Sequence, residues 1–238
     1  MSNFFTDDII VLRVSEYKDN KSIVTALSKN RGFISFSVKS FRKFKSSKHG
    51  KFQRLNLINA EFIETQNQVN ISQINKTQQS KTITDLVEFK NQQKITHILL
   101  KAFKDLQSDK AFKIMQNFIE NQYSYQDNLA LLLIKLADAL DLIQIDPNLK
   151  PANAFHVNIN GVIINRKESP ILSIDLKTLK TIRYYQANDL KQSVKLKTSA
   201  KIESQVEELF KILLEMQYGL SINFRNFNNI FNGIQLHN

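Results

Sequence analysis

Between Arg31 and Arg54 the chain carries eight basic residues, Arg31, Lys39, Arg42, Lys43, Lys45, Lys48, Lys51 and Arg54, and no acid in 24 positions. Five phenylalanines, Phe33, Phe36, Phe41, Phe44 and Phe52, are interleaved with them. Lysine and arginine neutralise phosphates and release their counterions, and exposed aromatic rings stack unpaired bases without regard to sequence. The residue types are those of a nucleic-acid contact, although charge alone fits a solvated basic loop as well. With no Trp in the chain, any stacking must use Phe or Tyr.

Other chemistry has little to build on. The five glycines stand at 32, 50, 161, 219 and 233, so neither a phosphate-binding Walker loop nor a dinucleotide fingerprint can be written. The absence of cysteine excludes disulfides, thiolate zinc sites, iron–sulfur clusters and Cys nucleophiles. The four histidines, at 49, 97, 156 and 237, lack metal-ligand spacing, and no serine-nucleophile motif is present. Asp138 and Asp141 fall at i, i+3 of an expected helix, a spacing more often met on a solvated face than at a metal or acid–base site. No enzyme, cofactor or metal is expected.

The 238 residues hold 33 Lys+Arg against 22 Asp+Glu, a net charge of +11 that points toward polyanions. Residues 1–80 hold 13 against 6, and the other 158 hold 20 against 16, so the excess is concentrated in the first third. At 42% hydrophobic, the composition is that of a globular protein. No Lys or Arg precedes Arg13, and the most apolar stretch, Leu129–Ile134, is cut short by Lys135. Neither a secretory signal nor a membrane span is expected, and the expected location is cytoplasmic, in association with the nucleoid.

The elements that must position the basic segment read as strands. Asp8–Val14 alternates with both faces partly apolar, and Ser22–Ser28 repeats the pattern with Ile23, Thr25 and Leu27. Asn30-Arg31-Gly32 supplies a turn, after which Phe33–Lys39 places Ile34, Phe36 and Val38 on one face. Ile58, Ala60 and Phe62 mark a fourth strand, Asn67-Gln68 a hairpin tip, and Val69–Ile74 a shorter fifth strand. Five short strands in about 75 residues predict a small barrel of OB-fold type, a known nucleic-acid platform. That setting decides the basic segment in favour of nucleic acid. Phe36 faces the core by alternation, whereas Phe41 and Phe44 lie in the loop.

From about residue 85 the period changes to 3.6. Ile95 to Phe103, Asp109–Gln122 and a central Gln126–Ile143 read as helices, the last stopped by Asp146-Pro147 and Lys150-Pro151. β-Branched runs within residues 146–185 predict a small irregular β insert. A helix from the N-cap Ser199 closes at Gly219, and a short one follows around Phe224–Phe231. The expected fold class is α+β: a five-stranded OB-fold barrel over residues 1–78, then a helical domain over 79–238 that carries the insert.

At these residues the chain resembles the bacterial recombination mediator RecO family. The resemblance runs from Ile9-Ile10-Val11-Leu12-Arg13 through Tyr17, Lys21-Ser22-Ile23-Val24-Thr25 and Lys29-Asn30-Arg31-Gly32. It continues in Val38-Lys39-Ser40-Phe41-Arg42-Lys43, Lys51-Phe52-Gln53 and Leu55, is looser through the helices, and returns at Tyr218-Gly219-Leu220. It implies a DNA repair and recombination protein that binds single- and double-stranded DNA, anneals complementary strands, associates with RecR, and helps load RecA. The expected DNA contacts are Arg31, Lys39, Phe41, Arg42, Lys43, Phe44, Lys45, Lys48, Lys51 and Arg54.

RecO-like proteins also bind the acidic, Phe-ending tail of single-strand binding protein (SSB) on their helical domain. Such a receptor needs an apolar pocket with a basic rim, and Lys101, Lys104, Lys110 and Lys113 flank the apolar faces of two predicted helices. One departure is plain. Many RecO proteins hold zinc with four cysteines in the insert, but Asp146–Ile174 contains none, and His156, Asn153 and Asn165 do not replace them. Side-chain packing is expected to hold the insert instead. The alternatives are an OB-fold RNA-binding or translation-associated module, and an adaptor whose basic loop is merely solvated.

Overall fold

The computed structural model describes residues 3–17, 21–39, 48–66, 68–83, 85–104, 108–165 and 170–222, with the backbone alone at Lys39, Lys48 and His49. The chain divides into two compact units, Met1–Thr84 with Leu99–Tyr123, and Asp85–Ile98 with Ser124–Asn238.

In the first unit the strands β1 (Asn3–Glu16), β2 (Lys21–Ser28), β3 (Gly32–Lys39), β4 (Leu57–Glu64) and β5 (Val69–Gln78) close a barrel in the order β1-β2-β3-β5-β4, with the short helix α1 (Lys48–Lys51) between β3 and β4. Closure needs one strand to serve two neighbours. β1 does so, pairing through Asn3–Ile10 with β4 and through Ile9–Glu16 with β2. A register shift between Val11 and Arg13 bends it, as an extra residue in one strand does. β3 and β5 complete the circle as a parallel pair at Ser37↔Asn70.

Ile9, Val11, Val24, Ala26, Phe36, Val38, Ile58, Ala60 and Phe62 fill the interior. On β2 the inward residues are thus Val24 and Ala26 rather than the Ile23, Thr25 and Leu27 series of the sequence pattern. Phe36 meets Phe62 edge-on at 5.1 Å and Phe52 at 6.1 Å. Ile10 and Leu27, register partners on the other face, are fully buried too, and helix α3 packs against β1, β2 and β3. A strand covered on both sides reads as a continuous apolar run, which explains Ile9–Leu12.

Two strands are longer than expected. Asn75–Gln78 of β5 is polar and is held by β4 through the ladder, and Asn3–Asp7 of β1 is held by the same strand's ladder together with Phe5, which packs against the core. Gly32 takes the turn at φ +67°. The turn is tied down by the buried Asp7, which accepts hydrogen bonds from Ser28 Oγ and, at 2.8 Å, from Asn30 Nδ2. Asn67 of the expected hairpin tip lies outside the described residues, but Thr65 N donates to Gln68 O across it.

Helix α2 (Leu86–Ala102) ends in the first unit and begins in the second; α3 (Ser108–Glu120) lies wholly in the first. In the second unit α4 (Leu129–Ala139) is buried at nine positions and packs against α5 (Leu176–Ala187) and α7 (Ala200–Tyr218). The buried Glu88 of α2 prepares its start, accepting from Ser124 Oγ at 3.0 Å, Tyr125 N at 2.9 Å and Gln126 N at 2.6 Å.

The central helix is shorter than Gln126–Ile143, and the two prolines are not what ends it. The chain leaves the helix at Asp141, whose φ of 55° an Asp tolerates because its short polar side chain can bond locally. The apolar residues Leu142 and Ile143 are buried beyond the helix end, so apolar content could not mark it. Asp138 and Asp141 accordingly share no helix face. Asp138 is half-buried, accepts from Gln186 Nε2 at 2.8 Å, and has its carboxyl pushed up chiefly by desolvation.

The expected β insert is a small four-stranded sheet of mixed pairing. Strands β6 (Gln144–Ile145), β7 (Ala154–Val157), β8 (Val162–Ile164) and β9 (Leu172–Asp175) pair in the order β6-β8-β7-β9. Phe155, Val157, Ile163 and Ile174 are buried. Asn165 bridges to Lys150 with both ends of its amide, Oδ1 accepting from Lys150 N at 2.7 Å and Nδ2 donating to Lys150 O at 2.9 Å. His156 Nδ1 lies 2.9 Å from Ser173 Oγ. The sheet stops at Asp175, where residues up to 185 were expected to continue the insert. Asp175 instead caps α5, accepting from Thr178 N at 2.8 Å, and the β-branched Thr178, Thr181 and Ile182 are the buried stripe of that helix. A short α6 (Leu190–Ser193) follows. The expected limits of α7 stand: Ser199 caps it and Gly219 closes it at φ +65°. The expected helix at Phe224–Phe231 lies outside the described residues.

Candidate nucleic-acid interface

The strands β2 and β3 contain no acid; their only charges, Lys21 and Lys39, are register partners at one end. Outward from the core stand Thr25, Ser35 and Ser37, with Thr25 Oγ1 3.4 Å from Ser35 Oγ and Ser37 bonded to Asn70 of β5. The result is a neutral polar strip with cations at its end. On five-stranded barrels of this topology the strand 2–3 face and the adjoining loops carry oligonucleotides. The β1–β2 connection is flanked by Tyr17, 53% exposed, whose backbone N donates to Lys21 O at 3.0 Å. Tyr17 and Lys21 thus offer a ring and a cation side by side, a pairing the charge-run criterion missed because Tyr17 stands 14 residues before Arg31.

Of the expected DNA contacts, Phe41, Arg42, Lys43, Phe44 and Lys45 lie outside the described residues. Lys39 ends β3 and Lys48 opens α1. Lys51, half-buried, ends α1, and Arg54 is exposed in the turn before β4. That turn is anchored to β1: Leu55 N donates to Val11 O at 2.7 Å and Val11 N to Asn56 O at 3.0 Å. It sets Arg54 near Arg13, at the β1 bulge. Desolvation and the Arg13 charge hold the Arg54 guanidinium below its usual value. Arg13 is thus a further cation of the site. Its signal was a single charge within the apolar run Ile9–Val14.

Two expectations change on contact with the barrel. Phe52, counted among the interleaved aromatics, is buried in the core at 2% exposure and offers no ring to a base. Arg31 is engaged within the barrel, its Nη1 2.9 Å from Glu64 Oε2 and its Cζ 3.6 Å above the Phe5 ring. Phe5 in turn stacks on Phe62 at 5.0 Å.

Lys101 and Lys104, at the end of α2, and Lys110 and Lys113, on α3, are all exposed and all fall in the stretch that joins the barrel's unit. The apolar residues beside them, Leu99, Ala102, Phe103, Ala111, Phe112 and Met115, are buried. Among the described residues no three His, Asp or Glu gather as a metal site, and no helix is long and apolar enough to cross a membrane.

A closed β1-β2-β3-β5-β4 barrel with an acid-free strand 2–3 face defines an OB-fold nucleic-acid-binding domain. Residues 1–82 match the family model described as Recombination protein O N terminal, so this barrel is similar to the N-terminal, DNA-binding OB-fold domain of the RecO recombination and repair proteins. No curated protein matches the chain.

Proposed function

We propose that the protein is a recombination mediator that binds single- and double-stranded DNA, anneals complementary strands, and acts with RecR to load RecA onto SSB-coated DNA. The observation that carries this reading is the acid-free basic segment 31–54 on a barrel that matches the RecO N-terminal model. Lys39, Arg42, Lys43, Lys45, Lys48, Lys51 and Arg54, with Arg13, form the phosphate-neutralising set, and Phe41 and Phe44 stack bases. The work is binding and alignment, with no covalent step. The four lysines 101, 104, 110 and 113 form the basic rim for the SSB tail; since their apolar neighbours are buried, the tail's phenylalanine needs another acceptor. The setting for this activity is the cytoplasm, at the nucleoid.

The test is fluorescence anisotropy with a labelled single strand, alongside annealing of complementary strands coated with SSB. If about four cations of the barrel contact phosphates, they contribute roughly −3 to the slope of log affinity against log salt. Replacing Lys39, Arg42 and Lys43 by Glu abolishes binding while the thermal midpoint stays put. Unchanged affinity in that variant refutes the basic-loop site, and tighter binding to RNA than to DNA refutes the mediator reading.

A further inference from the structure

The positive charge outside the barrel is not spread evenly. Residues 170–201 hold seven Lys+Arg and two Asp+Glu, whereas the rest of 81–238 holds 13 and 14. The whole excess of that region therefore sits in one stretch of 32 residues, built as the end of the insert sheet, α5, α6 and the approach to α7. Both acids of the stretch are occupied. Asp175 caps α5 and pairs with Lys201 at 2.7 Å, and Asp189 caps α6 by accepting from Gln192 N at 2.8 Å. Lys197 pairs with Asp127 at 3.4 Å. That leaves Lys177, Lys180, Arg183, Lys191 and Lys195, all exposed and none in an ion pair with a described residue.

On α5, Lys177, Lys180 and Tyr184 follow the i, i+3, i+7 spacing of one helix face, with Arg183 beside them. The opposite face is the buried one, formed by Thr178, Leu179, Thr181, Ile182 and Tyr185. Tyr184 is 37% exposed, and its hydroxyl donates to Gln192 O at 3.3 Å, which fixes the ring and brings α6 to its tip. A held aromatic ring among unpaired cations, with no free acid, is the combination that grips single-stranded nucleic acid: cations track the backbone and the ring takes a base. An acidic peptide would use the cations but has no need of the ring.

We infer that the α5–α6 face is a second nucleic-acid contact, separate in sequence from the barrel and suited to a single strand, with Lys177, Lys180 and Arg183 on phosphates and Tyr184 stacking a base. The inference rests on the DNA-binding reading above and extends it: a protein that anneals strands gains from a second contact that adds to the barrel's hold on the backbone.

The full-length chain tests this, with a labelled single strand titrated from 50 to 200 mM salt. Three variants are compared with wild type: Lys177→Glu/Lys180→Glu/Arg183→Glu, the neutral set Lys177→Gln/Lys180→Gln/Arg183→Gln, and Tyr184→Ala. Each single-strand phosphate contact contributes about −0.7 to the log–log slope, so losing three makes it shallower by about 2, or roughly 16-fold less affinity lost over that fourfold salt range. The neutral set is expected to show the same slope change as the reversal, with melting curves matching wild type, and Tyr184→Ala to weaken binding without altering the slope. Wild-type binding with a slope unchanged in both charge variants overturns the second contact and leaves the barrel site standing. Absence of salt-dependent binding in the wild type overturns the DNA reading itself. Variants that keep the DNA slope but lose binding to polyglutamate assign the face to an acidic protein and overturn the nucleic-acid inference.

Discussion

Replacing Arg31 by Ala separates two roles that the sequence alone cannot tell apart. The guanidinium sits 3.6 Å above the Phe5 ring and 2.9 Å from Glu64 Oε2, so it joins the turn before β3 to β1 and to the end of β4. The ion pair is about a third exposed on each side, at 35% and 38%, which limits it to roughly 0.2–1 kcal/mol. The contact with an exposed-side ring adds about 0.5–1 kcal/mol. Together they set the expected loss at about 1–2 kcal/mol, a drop of roughly 2–8 °C in midpoint for a chain of this size. A double-mutant cycle with Glu64→Ala is expected to return the ion-pair part as coupling. The assays are urea unfolding followed by circular dichroism and single-strand affinity at several salt concentrations. If Arg31 is a latch, stability falls and the salt slope stays within error of wild type. A slope shallower by about 0.7 with unaltered stability refutes the latch and makes Arg31 a phosphate ligand.

Glu88→Ala orphans the Tyr125 and Gln126 amides and the Ser124 hydroxyl before α4, and is expected to cost about 3–5 kcal/mol in denaturant unfolding, with Glu88→Gln intermediate. Asp175 is held down to about 2, first by its bond from Lys201 and then by Thr178 N, against 3.8 when unconstrained. Its stabilisation, about 1–2 kcal/mol after solvent screening, is complete above about pH 4 and is lost as pH falls toward 2. Asp175→Asn removes that acid-limb dependence, which pH-resolved melting reads directly. Gly161→Ala places a Cβ 1.9 Å from Leu142 O at a φ of +75°, and is expected to cost more than about 3 kcal/mol or to prevent folding of the insert, as one-dimensional NMR of its methyl signals would show.

What the sequence disclosed was whatever is encoded locally. The alternation of Ile34, Phe36 and Val38, the turn at Gly32, the cap at Ser199 and the stop at Gly219 each depend on a few neighbouring residues, and each stands in the structure. The outer parts of β1 and β5 were not legible, because polar residues such as Asn3 and Lys76 are strand only through the partner that β4 supplies. Helix α5 was hidden by its β-branched residues, which favour strand in isolation but form its buried stripe here. At the site, the count and sign of the charges were readable. Their commitments were not: Arg31 and Glu64 are 33 residues apart, and Phe52 enters the core only once β3 and β4 have closed around it.

The two compact units are interleaved along the chain, and this bears on how the protein is made. The barrel strands are complete when residue 78 has been synthesised, yet α3, which packs against β1, β2 and β3, ends only at Glu120. Before then the ribosome has already released residues 85–98, whose partners for Glu88 and Asn91 begin at Ser124. At synthesis rates of about 5–20 residues per second, each unit waits several seconds with apolar surface uncovered while the other is being extended. No single break in the gene yields both halves intact: a stop after residue 84 leaves the barrel without α3, and a start at residue 85 gives the second unit a segment, 99–123, that belongs to the first.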